Sequence, residues 1–197
     1  MRCSSVACGM LTAVTASLFW VRPAQSYTVT LNQIGSNVVA TGSGAFNLTG
    51  LSLTGGGSSS VEMNPSIADL AVATGFQDQY QGFSGPLSFG PGGFIFASSN
   101  SGDAVTLIGG MTFLSGLWVP QGYVSGGALS SSSTYNSATF ASLGVTPGTY
   151  VWSWGDGANQ RFTLIIGGAG VPDGGTTVSL LGCALLGLAA LRRRLGC

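Results

Sequence analysis

Five of the six arginines flank two uncharged apolar runs, one near each end of the chain, and that placement constrains everything between them. Arg2 and Arg22 bracket Val6–Val21, and Arg192, Arg193 and Arg194 follow Thr176–Leu191. Runs of this kind are directed to a membrane rather than folded into a soluble core. Roughly 145 residues remain between them, the usual size of one domain. That length can bury a core without metals or disulfides.

Met1–Ser26 has the parts of a secretory signal peptide: the basic Arg2, the apolar run, and small residues at Ala24 and Ser26. Cleavage is expected between Ser26 and Tyr27. An ordinary N-terminal helix is the alternative, and Arg22-Pro23 followed at once by a strand-like sequence argues against it.

Between Tyr27 and Val171 the only base is Arg161, against the five acids Glu62, Asp69, Asp78, Asp103 and Asp156, which gives a formal charge of −4. Nucleic-acid binding requires bases to displace counterions from phosphate, so that function is excluded. The four cysteines, Cys3, Cys8, Cys183 and Cys197, all lie in the end segments. The central domain therefore has no disulfide and no thiolate chemistry. Glycine makes up 33 of 197 residues, and charged residues only 6%. That composition suits short strands and tight turns rather than helices. The 45% hydrophobic and 10% aromatic content supplies core material that a disordered chain lacks.

The pattern along the domain predicts an all-β, antiparallel, jelly-roll-like sandwich spanning residues 27–170. Tyr27–Ile34 alternates apolar and polar residues, Gly35-Ser36-Asn37 turns the chain, and Asn37–Phe46 returns as a second strand. Gly55–Ser60 reads as a flexible loop. In Asn64–Thr74, Asn64 and Pro65 suit the start of a helical turn, although the same residues also fit a strand. Phe76–Gly93 reads as an irregular packed loop. Phe94–Ala97, Val105–Ile108 and Leu117–Val119 are short strands, Asn100–Asp103 a turn, and Gly126–Ser133 a polar loop. The clearest hairpin is last. Pro147-Gly148 suits a type II turn, Tyr150, Trp152 and Trp154 share one strand face, and Gly155–Asn159 turns the chain into Phe162, Leu164 and Ile166.

The last segment, 171–197, has three parts: Val171-Pro172-Asp173-Gly174-Gly175, the apolar Thr176–Leu191, and the arginine cluster. The apolar run would span about 24 Å as a helix at 1.5 Å per residue. That is somewhat short of a hydrocarbon core of ~30 Å, a gap that snorkelling arginines and local thinning can close. Arginines after the run place that end in the cytoplasm and the domain outside. A permanent membrane anchor is the plain alternative.

This arrangement resembles the VPDSG branch of the PEP-CTERM sorting signals, with Gly174 where that branch usually has serine. The stretches Leu117–Gly126 and Thr139–Gly155 are similar to a block that recurs in small PEP-CTERM proteins. The resemblance implies an exosortase partner, a transient inner-membrane precursor, and delivery to the surface or exopolysaccharide matrix of a Gram-negative bacterium. It implies no activity for the domain.

Catalysis is not expected. Without histidine there is no Ser–His–Asp triad, and the usual zinc or copper ligands are missing. A carboxylate pair remains an option in principle, but most of the five acids neighbour turn-forming residues, where carboxylates usually bond local backbone or water. Asp156 in its Gly-Asp-Gly turn is the one candidate contact for calcium, and a plain turn is the preferred reading. No cofactor is expected. The ring series Tyr150, Trp152 and Trp154 is either core or a sugar-stacking face, with core preferred. Asn47-Leu48-Thr49 fits the N-glycosylation pattern. Two functions stay open: a structural protein of the surface or matrix, and a carbohydrate-binding module in the same place.

Overall fold

The computed structural model describes residues 25–111 and 114–167. Residues 1–24, most of the expected signal peptide, and residues 168–197, which include the whole expected tail, lie outside the described residues. Among the described residues no helix is long and apolar enough to cross a membrane.

Two β-sheets enclose one core. The first contains β1 (Thr28–Ile34), β2 (Asn37–Gly44), β8 (Ser99–Gly102), β11 (Leu129–Tyr135), β12 (Gly148–Ser153) and β13 (Arg161–Ile166), in the order β12-β13-β1-β2-β11-β8. The second contains β3 (Ser52–Ser59), β4 (Glu62–Asn64), β5 (Asp69–Ala71), β6 (Gly75–Gln81), β7 (Ile95–Phe96), β9 (Thr106–Ile108) and β10 (Gly116–Pro120), in the order β3-β6-β10-β9-β5-β4-β7. Alternation sends Val29, Leu31, Val38 and Ala40 from the first sheet inward, to meet Met63, Leu70, Leu107, Leu117 and Val119 from the second.

The all-β sandwich matches the expectation from sequence, with two differences in topology. Strands β1 and β13 run parallel, pairing Thr28 with Thr163 and Leu31 with Ile166, whereas the other paired strands are antiparallel. Each hairpin sets only the relative direction of its own two strands, and the long-range contact between β1 and β13 brings the two hairpins together with the same sense. The strand order also departs from a jelly roll, which interleaves two Greek keys in eight strands. Here β3 to β7 stay together in one sheet.

Several segments expected to be loops are strands. Gly55–Ser60 belongs largely to β3, whose backbone pairs with β6 although its one apolar side chain, Leu53, is exposed. The Phe76–Gly93 stretch begins with β6, and Asn100–Asp103 contributes to β8. In Gly126–Ser133 the serines conceal β11, where Ser131 and Ser133 alternate inward. In each case long-range pairing overrides weak local preference. The helical turn expected after Asn64 is a single 3-10 turn, Pro65–Ile67, with Pro65 at its start, and the chain then enters β5.

The terminal hairpin carries the largest core residue. Trp152 is fully buried, and its indole Nε1 donates to the Pro86 carbonyl at 2.8 Å. It meets the Phe162 ring edge-on at 5.7 Å. Two glycines make room for it. A Cβ at Gly85 would lie 2.7 Å from Trp152 Cγ, and one at Gly109 would lie 2.7 Å from Nε1. Trp152→Ala should therefore cost about 3–5 kcal/mol. Gly85→Ala should cost about 1–3 kcal/mol through overpacking. Urea denaturation followed by circular dichroism measures both, and an unchanged midpoint for Trp152→Ala would contradict its place in the core.

Candidate functional site

Strand alternation also defines the outer face of the second sheet. Leu70, Leu107, Leu117 and Met63 point into the core, so Asp69, Ala71, Thr106, Ile108, Trp118 and Glu62 face outward. Outward residues are ordinarily solvated. Yet Asp69, Ala71, Thr106, Gln77 and Gln79 are buried. The end of β3 provides the cover on one side: Ser59 Oγ donates to Gln77 Oε1 at 2.8 Å and lies 3.2 Å from Thr106 Oγ1. The segment between β9 and β10 closes another side. There Ser115 Oγ donates to the Ile108 carbonyl at 3.1 Å, and Gln79 Nε2 donates to the Ser115 carbonyl at 3.4 Å.

A cavity of about 350 Å³ remains beneath this cover, lined by Ser58–Ser60, Glu62, Asp69, Ala71, Thr106, Ile108, Leu114 and Trp118. Two polar groups on its lining side chains lack partners. Asp69 is only 3% exposed, and its Oδ1 accepts no hydrogen bond. The Trp118 Nε1–H is buried and likewise unpaired. Burial pushes the Asp69 carboxyl up to about 7, with the Glu62 charge adding to the effect. Burial raises Glu62 as well. The lining thus offers carboxyl and hydroxyl groups and an indole face, and no base.

The sequence-predicted residues fall elsewhere. Tyr150, Trp152 and Trp154 share a face as expected, but that face is turned inward. Trp152 is core, and Tyr150 and Trp154 are half-buried against it. Their polar atoms are engaged too: Tyr150 Oη donates to the Thr146 carbonyl at 2.9 Å, and Trp154 Nε1 donates to the Asn47 carbonyl at 2.7 Å. Asn47 Oδ1 accepts from the Thr49 amide at 3.0 Å, which closes a small turn on the glycosylation-like triplet. Asp156 is exposed in its turn. Ser26 bridges to Ala45, and Tyr27 is fully buried beside it, so the expected cleavage point lies within a paired segment of the fold. Val171, Pro172, Asp173, Gly174 and Gly175, and Arg192, Arg193 and Arg194, lie outside the described residues.

Reasoning from sequence missed Asp69 and its neighbours because none of the five acids sits in a recognisable motif, and four of them neighbour turn-forming residues. Asp78 and Asp103 do bond backbone, accepting from the amides of Gly122 at 2.8 Å and Ser130 at 2.7 Å. Asp69 differs, and its apolar flanks in Ile67-Ala68-Asp69-Leu70-Ala71 were the available signal.

Residues 170–195 match the family described as the VPDSG-CTERM motif. The C-terminal segment is thus a sorting signal of PEP-CTERM type, the mark of an exported chain processed by an exosortase and sorted to the cell surface. No curated protein and no solved structure matches the chain significantly.

The buried carboxyl predicts a pH dependence. With its folded pKa above the value of about 3.9 expected in an unfolded chain, Asp69 favours folding while protonated. That contribution should fade as pH rises from about 4 through about 7. Denaturation midpoints measured from pH 4 to 8 should fall for the native chain and stay flatter for Asp69→Asn. Equal slopes would mean that Asp69 does not carry the effect.

Proposed function

We propose that the protein is a non-catalytic structural component of the cell surface or exopolysaccharide matrix of a Gram-negative bacterium. It passes through an inner-membrane precursor that the exosortase releases. The observation that carries this reading is the VPDSG-CTERM match directly behind a folded domain. Strand β13 ends at Ile166, and the Gly167 amide is still held by the Leu31 carbonyl at 3.0 Å. Only three residues separate Gly167 from Val171. Nine steps of extended chain, from Gly167 to the start of the apolar run at Thr176, reach about 30 Å at most. The sandwich would therefore rest close to the bilayer until the tail is cut, and its release would deliver a compact acidic domain without a membrane segment.

The sequence around the motif suits that processing. Pro172 removes a backbone donor and biases Val171 toward extended conformations, while Gly174 and Gly175 add freedom before the apolar run. A peptidase needs such an accessible strand; a permanent anchor has no use for one. The competing use of the Tyr150, Trp152 and Trp154 face as a sugar platform is disfavoured, because those rings are packed inward.

Replacing Pro172 and Asp173 together by alanine should leave an unprocessed precursor in the inner membrane that still carries residues 176–197. In a cell with its exosortase the native chain should lack the arginine cluster and reach the surface or matrix. Intact-mass measurement of both forms distinguishes these outcomes, and Arg192–Arg194 on the mature native protein would reduce the tail to an anchor.

A further inference from the structure

We propose that the cavity on the outer face of the second sheet binds one ring of a neutral sugar, with Trp118, Glu62 and Asp69 as its principal contacts. This inference does not depend on the fate of the tail.

The chemistry of the lining narrows the ligand class. Two carboxyl groups with no base beside them disfavour an anion, since phosphate, sulfate or carboxylate would meet only repulsion. A fully apolar ligand would leave the Asp69 carboxyl and the Trp118 N–H unsatisfied, at the cost that attaches to buried polar groups without partners. A metal ion has too few ligands: among the described residues no group of three or more acids, histidines or cysteines comes together. Calcium prefers six to eight oxygens.

A sugar hydroxyl answers each requirement. It can meet the Asp69 carboxyl that lines the cavity. A second hydroxyl can reach Glu62, which is half-buried at the side of the cavity. The serine hydroxyls of residues 58–60 both donate and accept. The apolar C–H face of a pyranose needs a flat hydrophobic surface, which the half-buried Trp118 ring can provide together with Ile108 and Leu114. Small-molecule sites run from about 300 Å³ upward, so a volume of about 350 Å³ suits one ring rather than a chain of them.

The test uses the full chain, purified in a detergent without a sugar headgroup and titrated with cellobiose, maltose and laminaribiose. Tryptophan fluorescence and isothermal calorimetry read the binding. At least one disaccharide should bind. Trp118→Ala and Glu62→Ala should each weaken it about tenfold or more, the loss expected when a stacking face or a charged hydrogen-bond partner is removed. Glu62 is half-buried in the three-residue strand β4, so its variant keeps the proposal testable if Trp118→Ala fails to fold. Tyr150→Phe, on the opposite sheet, should bind as the native chain does. Binding to none of the three disaccharides overturns the proposal. So does binding that both cavity variants retain, or a calcium-dependent thermal shift that Glu62→Ala abolishes in a chain indifferent to sugar.

Discussion

Residues Thr28–Leu31 lie alongside Thr163–Ile166 near the middle of the six-stranded sheet, and the rest of the architecture hangs on that contact. Parallel pairing of the first and last strands joins two hairpins that would otherwise be separate, β1–β2 and β12–β13. It also assembles the aromatic centre. Tyr27 stands 4.8 Å from Phe46 and 5.7 Å from Phe162, which in turn holds Trp152. The Tyr27 hydroxyl is hydrogen-bonded to Ser131 of β11, and Gly42 leaves the space it needs, because a side chain there would collide with the ring. Burial drives the Tyr27 phenol far above its ordinary range, so it stays neutral at any physiological pH. One residue at the domain entrance thus ties together four strands of one sheet.

Much of this was legible in the sequence where local pattern and long-range pairing agree. The first hairpin and the last carry clean alternation and turn glycines, and both form, although Gly148 opens β12 instead of centring a type II turn with Pro147. Residues such as Ser52–Ser59 and Leu129–Tyr135 were not legible. Their strands are made of glycine and serine, which signal loops by composition, and only their neighbours' hydrogen-bonding edges make them strands. The parallel pairing was equally invisible, since contact between the two ends of a domain leaves no local trace. For the cavity, the carboxylates and Trp118 could be listed but not brought together. They come from β4, β5 and β10, and sequence alone does not fix strand order.

The polar outer face and the apolar core follow from one device. Strands β4, β5, β9 and β10 keep strict alternation, so each sends an apolar residue to the core and another residue outward. What is unusual is that part of the outward set, Asp69, Ala71, Gln77, Gln79 and Thr106, is buried instead of left to water. Gln77 and Thr106 bond one another and Ser59, whereas Asp69 Oδ1 and the Trp118 N–H are left over. A fold that needed only stability would gain by satisfying or removing them.

The central position of β13 has a bearing on the order of events during export. A chain that emerges N-terminus first presents β1 long before its parallel partner exists. Until Arg161–Ile166 has emerged, β1 has one open edge, Tyr27 lacks Phe162, and Trp152 lacks the ring it packs against. Closure of the sheet must wait for the final strand, and only four residues separate its end at Ile166 from Val171 of the sorting motif. Completion of the domain and emergence of the sorting motif are thereby made nearly simultaneous. The domain keeps its own clock, set by the distance along the chain between its first strand and its last.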